Sequence, residues 1–224
     1  MLTYSPASQK DFFSSPSLLF ITLHPSNRCK FKRGLDIAGS IVGLLILAIL
    51  FIPIAIAIKL DSPGPIFYKQ KRCGLRGITF TLYKFRTMIE NADAFKFQIK
   101  NEAKGAIFKN KNDPRITKVG RFLRRTSLDE FPQFWNVLVG EMSLVGTRPP
   151  LLDEVVYYSD RDWHRLNVKP GITGEWQVNG RSSVNNFEEI VTLDLHYQTR
   201  WSPWYDIWLI LKTIWVVIAG QGAY

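Results

Sequence analysis

Residues 37–58 carry no charged side chain over 22 consecutive positions. As a helix, such a run is long enough to cross the roughly 30 Å hydrocarbon core of a bilayer. It is preceded by Lys30, Lys32 and Arg33 and followed by Lys59. Basic residues favour the cytoplasmic side of a membrane, so a straight crossing would strand one basic flank outside. Pro53 offers another path, because it removes a backbone donor and kinks a helix, letting the segment enter and leave by one face. A single straight span is the alternative. A second apolar run, residues 201–219, is interrupted by Asp206 and Lys212 and carries Trp201, Trp204, Tyr205, Trp208 and Trp215. That aromatic density suits a membrane–water interface, with core packing as the alternative.

The 224 residues leave room for one compact domain beside the membrane element. The chain divides into a variable tail (1–28), rich in Ser, Pro and Phe, a membrane helix (29–60), a catalytic domain (61–200) and an aromatic-rich interfacial segment (201–224). The tail lacks a signal-peptide pattern. After the turn Asp61-Ser62-Pro63-Gly64-Pro65, aromatic and β-branched residues alternate with polar ones over 66–72 and 79–86, predicting a β-hairpin. Helical spacing is expected over 90–112, 117–125, 131–139 and 187–197, and turns around a short strand over 171–181. With no βαβ alternation and no internal repeat, the fold class is α+β, mostly helical.

The formal net charge of +10 calls for an anionic partner. The apolar block favours an anionic membrane surface or phosphate-bearing substrates, and no helix-turn-helix, zinc-finger or RNP pattern points to nucleic acid. Two cysteines, Cys29 and Cys73, flank the apolar block, and three scattered histidines have no zinc-ligand spacing. A disulfide is not expected; the thiols serve instead as reporters of which side each flank faces.

The densest chemical constellation is Arg121-Phe122-Leu123-Arg124-Arg125-Thr126-Ser127-Leu128-Asp129-Glu130, ahead of an apolar helix. Ser127-x-x-Glu130 fits a capping box, which accounts for two of these residues but not for Asp129 beside three arginines. Guanidinium groups near a helix start attract phosphate and keep a carboxylate ionised, the state that covalent phosphoryl chemistry requires.

Several colinear stretches resemble the bacterial sugar transferases, the monotopic polyprenyl-phosphate phosphoglycosyltransferases. They are Lys32-Arg33-x-x-Asp36, Asp61-Ser62-Pro63-Gly64-Pro65-Ile66-Phe67, Lys84-Phe85-Arg86-Thr87-Met88, Asp113-Pro114-Arg115-Ile116-Thr117, Thr126-Ser127-Leu128-Asp129-Glu130-x-Pro132-Gln133, Gly140-Glu141-Met142-Ser143-Leu144-Val145-Gly146 and Lys169-Pro170-Gly171-Ile172-Thr173-Gly174. The resemblance implies a re-entrant helix bent at Pro53 and a Mg²⁺-dependent, two-step reaction at the cytoplasmic face of the bacterial inner membrane. Asp129 would attack a UDP-sugar, expel UMP and pass the sugar phosphate to a polyprenyl (undecaprenyl) phosphate. Glu130 would hold the metal or manage a proton. Lys84, Arg124 and Arg148 would neutralise phosphate charge, and Arg181 would touch nucleotide or sugar. The sugar stays open, as does the oligomeric state, with a homodimer among the alternatives. The chain departs from the family pattern at Thr147, often Pro, and at Ile52, often Ser, the latter bearing on the bend. Two rivals remain: an ordinary glycosyltransferase using Asp160-Arg161-Asp162 as a metal-binding D-x-D, and a non-enzymatic scaffold binding anionic lipid.

Overall fold

The computed structural model describes residues 23–180 and 184–219. The apolar block lies within helix α1 (Lys30–Asp61), whose helical run continues through Pro53. Its two faces differ in kind. Ile41, Val42, Leu45, Ile49, Ile52, Ile56 and Leu60 are exposed, while Lys32, Asp36, Ser40, Gly43, Ile54 and Ile58 are buried against the rest of the chain. An outer face of aliphatic side chains without a charge is what a helix presents to lipid.

The buried face is tied down at both ends. Near the N-terminus the Lys32 ammonium donates to Asp206 at 2.8 Å and to the Val145 carbonyl at 2.9 Å, and Asp36 accepts from the Ser143 hydroxyl and Leu144 N–H, both at 2.8 Å. Arg33 donates to the carbonyls of Val137 and Leu138. At the far end Asp61 accepts the Val119 N–H at 2.8 Å. The buried Arg86 guanidinium donates to the carbonyls of Ser62 (2.7 Å) and Pro63, just past the helix end, and to that of Ile58, which also accepts the Ser62 N–H. In between, Gly43 lets the Phe134 ring approach so closely that a Cβ there would lie 2.4 Å from it. Gly43→Leu should therefore destabilise the protein by about 1–3 kcal/mol through overpacking, despite leucine's better helix propensity. The apparent melting temperature in detergent or nanodiscs measures this.

Strands β1 (Phe67–Cys73) and β2 (Thr79–Phe85) form the expected antiparallel hairpin, with Phe67 opposite Phe85 and Tyr68 opposite Lys84. Phe51 of α1 stacks on Phe67 and Phe85, seating the hairpin on the helix. Helix α2 (Lys118–Thr126) is capped by Thr117, whose hydroxyl accepts the Gly120 N–H, and α3 (Gln133–Val139) packs along α1. Strands β3 (Ser143–Val145) and β4 (Gly171–Thr173) pair in parallel. Short helices α4 (Leu152–Val155), α5 (Asp160–Trp163) and α6 (Glu175–Asn179) precede α7 (Phe187–Arg200) and α8 (Pro203–Ile218). The main core joins Phe80, Leu82, Val137, Met142, Val145, Tyr197 and Leu209.

The fold is α+β and mostly helical, as expected, with two local differences. Residues 90–112 form only a 3-10 helix, Ala92–Gln98, followed by loop. The Asn101 side chain there accepts from the N–H groups of Ala103 and Lys109 and donates to the Ile107 carbonyl, so it competes for the backbone a helix would need. Residues 175–179 form a helix where turns were expected. The aromatic segment α8 buries Asp206 and Leu209 yet exposes Trp204, Leu211, Trp215 and Ile218, so its apolar surface extends well beyond what the core covers.

Candidate active site

Beside the hairpin lies an open cavity of about 720 Å³. Its walls come from β1 and β2 (Arg72, Lys84), the end of α2 and the turn after it (Arg124, Asp129, Glu130), segment 148–154 leading into α4, and segment 108–115. Gly120 sets how closely α2 approaches the chain after β2, since a Cβ there would fall 2.0 Å from the Thr87 carbonyl oxygen.

The carboxylate pair sits on a sharp turn. Helix α2 ends at Ser127, whose backbone is left-handed (φ 58°), and one 3-10 turn, Leu128–Glu130, follows. The capping box that Ser127-x-x-Glu130 fits, the alternative to a catalytic role, is not formed: Ser127 closes α2, with its N–H on the Arg124 carbonyl at 3.2 Å. The turn separates the two carboxylates. Asp129 is 7% exposed, whereas Glu130 reaches the Lys84 ammonium at 2.9 Å.

Of the three neighbouring arginines only Arg124 lines the cavity; Arg121 and Arg125 are exposed, because helical spacing turns them outward. Arg124 donates from Nε to the Thr87 hydroxyl at 2.9 Å. Burial pushes its guanidinium below the usual arginine value, against the opposing pull of the Asp129 and Asp113 charges. Among the described residues no carboxylate forms an ion pair with it. Arg148 is different, for it forks onto Glu154 at 2.8 and 3.2 Å. Burial alone would raise the Glu154 carboxyl, but the Arg148 charge and the Leu151 N–H outweigh it and hold the group below the usual carboxylate range. Arg181 lies outside the described residues.

Sequence reasoning missed further cavity groups, among them four charged side chains with defined partners besides Glu154. Arg72 projects from β1 toward the 148–154 segment, donating to the Pro149 carbonyl at 2.9 Å. Asp113 and Arg115, noted only as part of a motif, form a buried fork (2.7 and 2.9 Å) that also holds the Ala92 carbonyl at 3.1 Å. Lys109 donates to the Val184 carbonyl and stands over the Trp176 ring at 5.5 Å; burial, then the Arg148 charge, push its ammonium down to about 8. Only Asp113-Pro114-Arg115 carried a visible signal, an acid and a base held two residues apart by proline. Among the described residues no group of three or more His, Cys, Asp or Glu side chains could hold a metal. The D-x-D alternative is absorbed by local structure, since Asp162 turns back to accept the Ser159 N–H (2.9 Å) and hydroxyl (2.8 Å).

Cys29 is half-buried and Cys73 fully buried. Burial pushes the Cys73 thiol up to about 11, so it is inert toward thiol reagents and cannot serve as the reporter expected of it.

The family model for bacterial sugar transferases matches residues 27–220. The chain is 50% identical over 194 residues to galactosyl transferase CpsE of Streptococcus agalactiae, covering 86% of this chain and 43% of that protein. It is 44% identical over 199 residues to undecaprenyl-phosphate galactose phosphotransferase of Salmonella typhimurium (86% and 41%). It is 39% identical over 199 residues to exopolysaccharide production protein ExoY of Rhizobium meliloti (86% and 88%). The chain thus spans less than half of the first two relatives and most of the third, and on the strength of the family match and the last alignment it belongs to the bacterial sugar transferase family.

Proposed function

We propose that this protein is a phosphoglycosyltransferase that moves a sugar 1-phosphate from a UDP-sugar to a polyprenyl phosphate, releasing UMP. The observation that carries the reading is a buried carboxylate, Asp129, beside the Arg124 guanidinium in a cavity rimmed by further cations. The names of relatives support it, one as an undecaprenyl-phosphate galactose phosphotransferase and another as an exopolysaccharide production protein. On this reading the reaction is the first membrane step of bacterial polysaccharide or glycoconjugate synthesis.

In the first half-reaction an Asp129 carboxylate oxygen attacks the β-phosphorus of the donor. The bond from that phosphorus to the bridging oxygen breaks, and the electron pair leaves with UMP. In the second, a phosphate oxygen of the acceptor attacks the phosphorus of the resulting acyl phosphate, the carboxylate departs and a polyprenyl diphosphate sugar forms. A phosphoanhydride is exchanged for another, so the obstacle is repulsion between anions rather than driving force. Arg124, Lys84 and Arg148 supply the opposing charge. Glu130, a cavity-lining carboxylate, would hold Mg²⁺ together with substrate phosphates, since this ion is commonly held by one or two carboxylates plus phosphates. When bound, it would neutralise charge on the diphosphate.

The same reading seats α1 in the cytoplasmic leaflet of the bacterial inner membrane, entering and leaving by one face. Its support is that Lys32, Arg33 and Asp36 at one end and Asp61 at the other all bond to the same folded unit. A straight span would carry that unit's buried charges across the bilayer. In intact cells a membrane-impermeant thiol reagent should label neither Cys29 nor a cysteine introduced at Lys59, whereas both should label in inverted vesicles. Labelling of one site from outside would establish a straight span.

The function itself is tested by incubating the protein with a panel of UDP-sugars, Mg²⁺ and undecaprenyl phosphate. Release of UMP is expected; release of UDP would indicate an ordinary glycosyltransferase, and no turnover of any donor would leave a lipid-binding scaffold.

A further inference from the structure

A donor diphosphate brings two phosphates into the cavity, and acid–base pairing divides the arginines on its wall into two kinds. Arg115 and Arg148 are each forked onto a carboxylate, Asp113 and Glu154 respectively. Arg86 is spent on the carbonyls just past the end of α1. Arg124 and Arg72 remain, and neither has a carboxylate partner among the described residues. Arg124 accompanies Asp129. Arg72 stands across the hairpin, near the Arg148–Glu154 pair.

The Arg72 head group is held in place by neutral acceptors. Nε and Nη2 donate to the Gln70 amide oxygen at 3.1 and 2.8 Å, and Nη1 donates to the Pro149 carbonyl at 2.9 Å. Gln70 and Arg72 share a strand face, two residues apart on β1. These contacts use three of the five guanidinium N–H donors and, among the described residues, leave two without an acceptor, one on each terminal nitrogen. The environment is electrostatically costly: burial, and then the Arg148 charge, push the guanidinium down to about 10. A fixed, desolvated cation with no carboxylate of its own recovers that cost when an anion arrives.

We propose that Arg72 is a further substrate-binding residue, holding the phosphate of the donor diphosphate that departs with UMP, while Arg124 serves the phosphate attacked by Asp129. Gln70 is its positioning residue. This assignment rests on the phosphoglycosyltransferase reading above. It divides the labour along the diphosphate: one guanidinium beside the nucleophile, one beside the leaving group, where charge develops as the bridging bond breaks.

The test uses the intact protein in nanodiscs with a UDP-sugar that wild type turns over, and follows UMP release without lipid acceptor, inhibition by added UMP, the KM for undecaprenyl phosphate and thermal melting. Arg72→Gln should weaken UMP inhibition and slow the lipid-independent burst by about 10–100-fold, the range of one charge-assisted phosphate contact. Arg72→Lys should recover part of that loss, because it keeps the charge without the fork. Gln70→Leu should reproduce a milder form, about 3–10-fold, through a head group no longer held. The KM for undecaprenyl phosphate should stay unchanged in all three. An effect confined to that KM would move Arg72 to the acceptor and overturn the assignment. Lowered melting with normal UMP inhibition in the folded protein would make Arg72 a strut for the 148–154 segment, with the same result. If wild type releases no UMP from any donor, the functional reading fails and the assignment with it; an active wild type with unaffected variants overturns the assignment alone.

Discussion

Asp129→Asn should abolish UMP release even without lipid acceptor, by at least about 10⁴-fold, the scale seen when a covalent nucleophile is removed. The carboxamide is a poor nucleophile, and the substitution is nearly isosteric at a side chain only 7% exposed, so folding should survive. Wild type given UDP-sugar and Mg²⁺ alone should release at most about one UMP per active site and retain a hydroxylamine-labile sugar-phosphate adduct. Asp129→Asn should retain none. Glu130→Gln provides the contrast: it disrupts the 2.9 Å pair with Lys84 and should slow adduct formation without changing where the adduct sits. An adduct mapped to another residue, or ready turnover by Asp129→Asn, would refute the nucleophile.

Arg124→Ala and Arg148→Ala should both lose turnover by tens- to about a thousand-fold, since a lost charge-assisted contact in the transition state costs on the order of 2–4 kcal/mol. Their stabilities should differ. Arg124 has no ion-paired carboxylate among the described residues, and the Arg124→Ala melting point should stay near that of wild type. Removing Arg148 leaves the buried Glu154 carboxylate without its counter-charge, so that protein should melt markedly lower at neutral pH. The sign with pH follows from Glu154, which is held below the usual carboxylate range in the folded chain. Its contribution to stability is present above the unfolded value, about 4.3, and is lost as pH falls through the lowered one. The gap between wild type and Arg148→Ala should therefore narrow in acid, and Arg148→Ala/Glu154→Gln should recover stability but not activity.

Long periodic segments were legible because each rests on local physics. The apolar block, the hairpin alternation and the helices at 118–126, 133–139 and 187–200 all follow from side-chain period, and each appears where expected. The 90–112 stretch misled because its polar residues have helical spacing while Asn101 satisfies the same backbone from its side chain. Asp129, Glu130, Lys84, Arg124 and Arg148 all reach one cavity. Which of the cations already has a partner was not legible. Glu154 lies six residues beyond Arg148, Gln70 two before Arg72, and nothing in composition or period says that one arginine meets a carboxylate and the other an amide. Spacing alone did not separate Arg124 from Arg121 and Arg125; the family resemblance did, and the start of α2 at Thr117 supplies the physical reason.

Lys84 and Arg86 stand two residues apart at the end of one strand, the first beside the carboxylate pair and the second on the carbonyls just past the end of α1. Two residues of extended chain measure about 7 Å. For a helix seated in lipid, this short rigid rod acts as a ruler: it sets the elevation of the reaction centre above the acyl chains. On the proposed function the acceptor's phosphate would be pinned at headgroup level by its lipid tail, so the two reacting centres would meet at matched depth without a search along the membrane normal. A residue inserted between Lys84 and Arg86 would turn one of the two side chains to the opposite strand face, leaving each half of the protein folded but the bilayer anchor and the chemistry out of step.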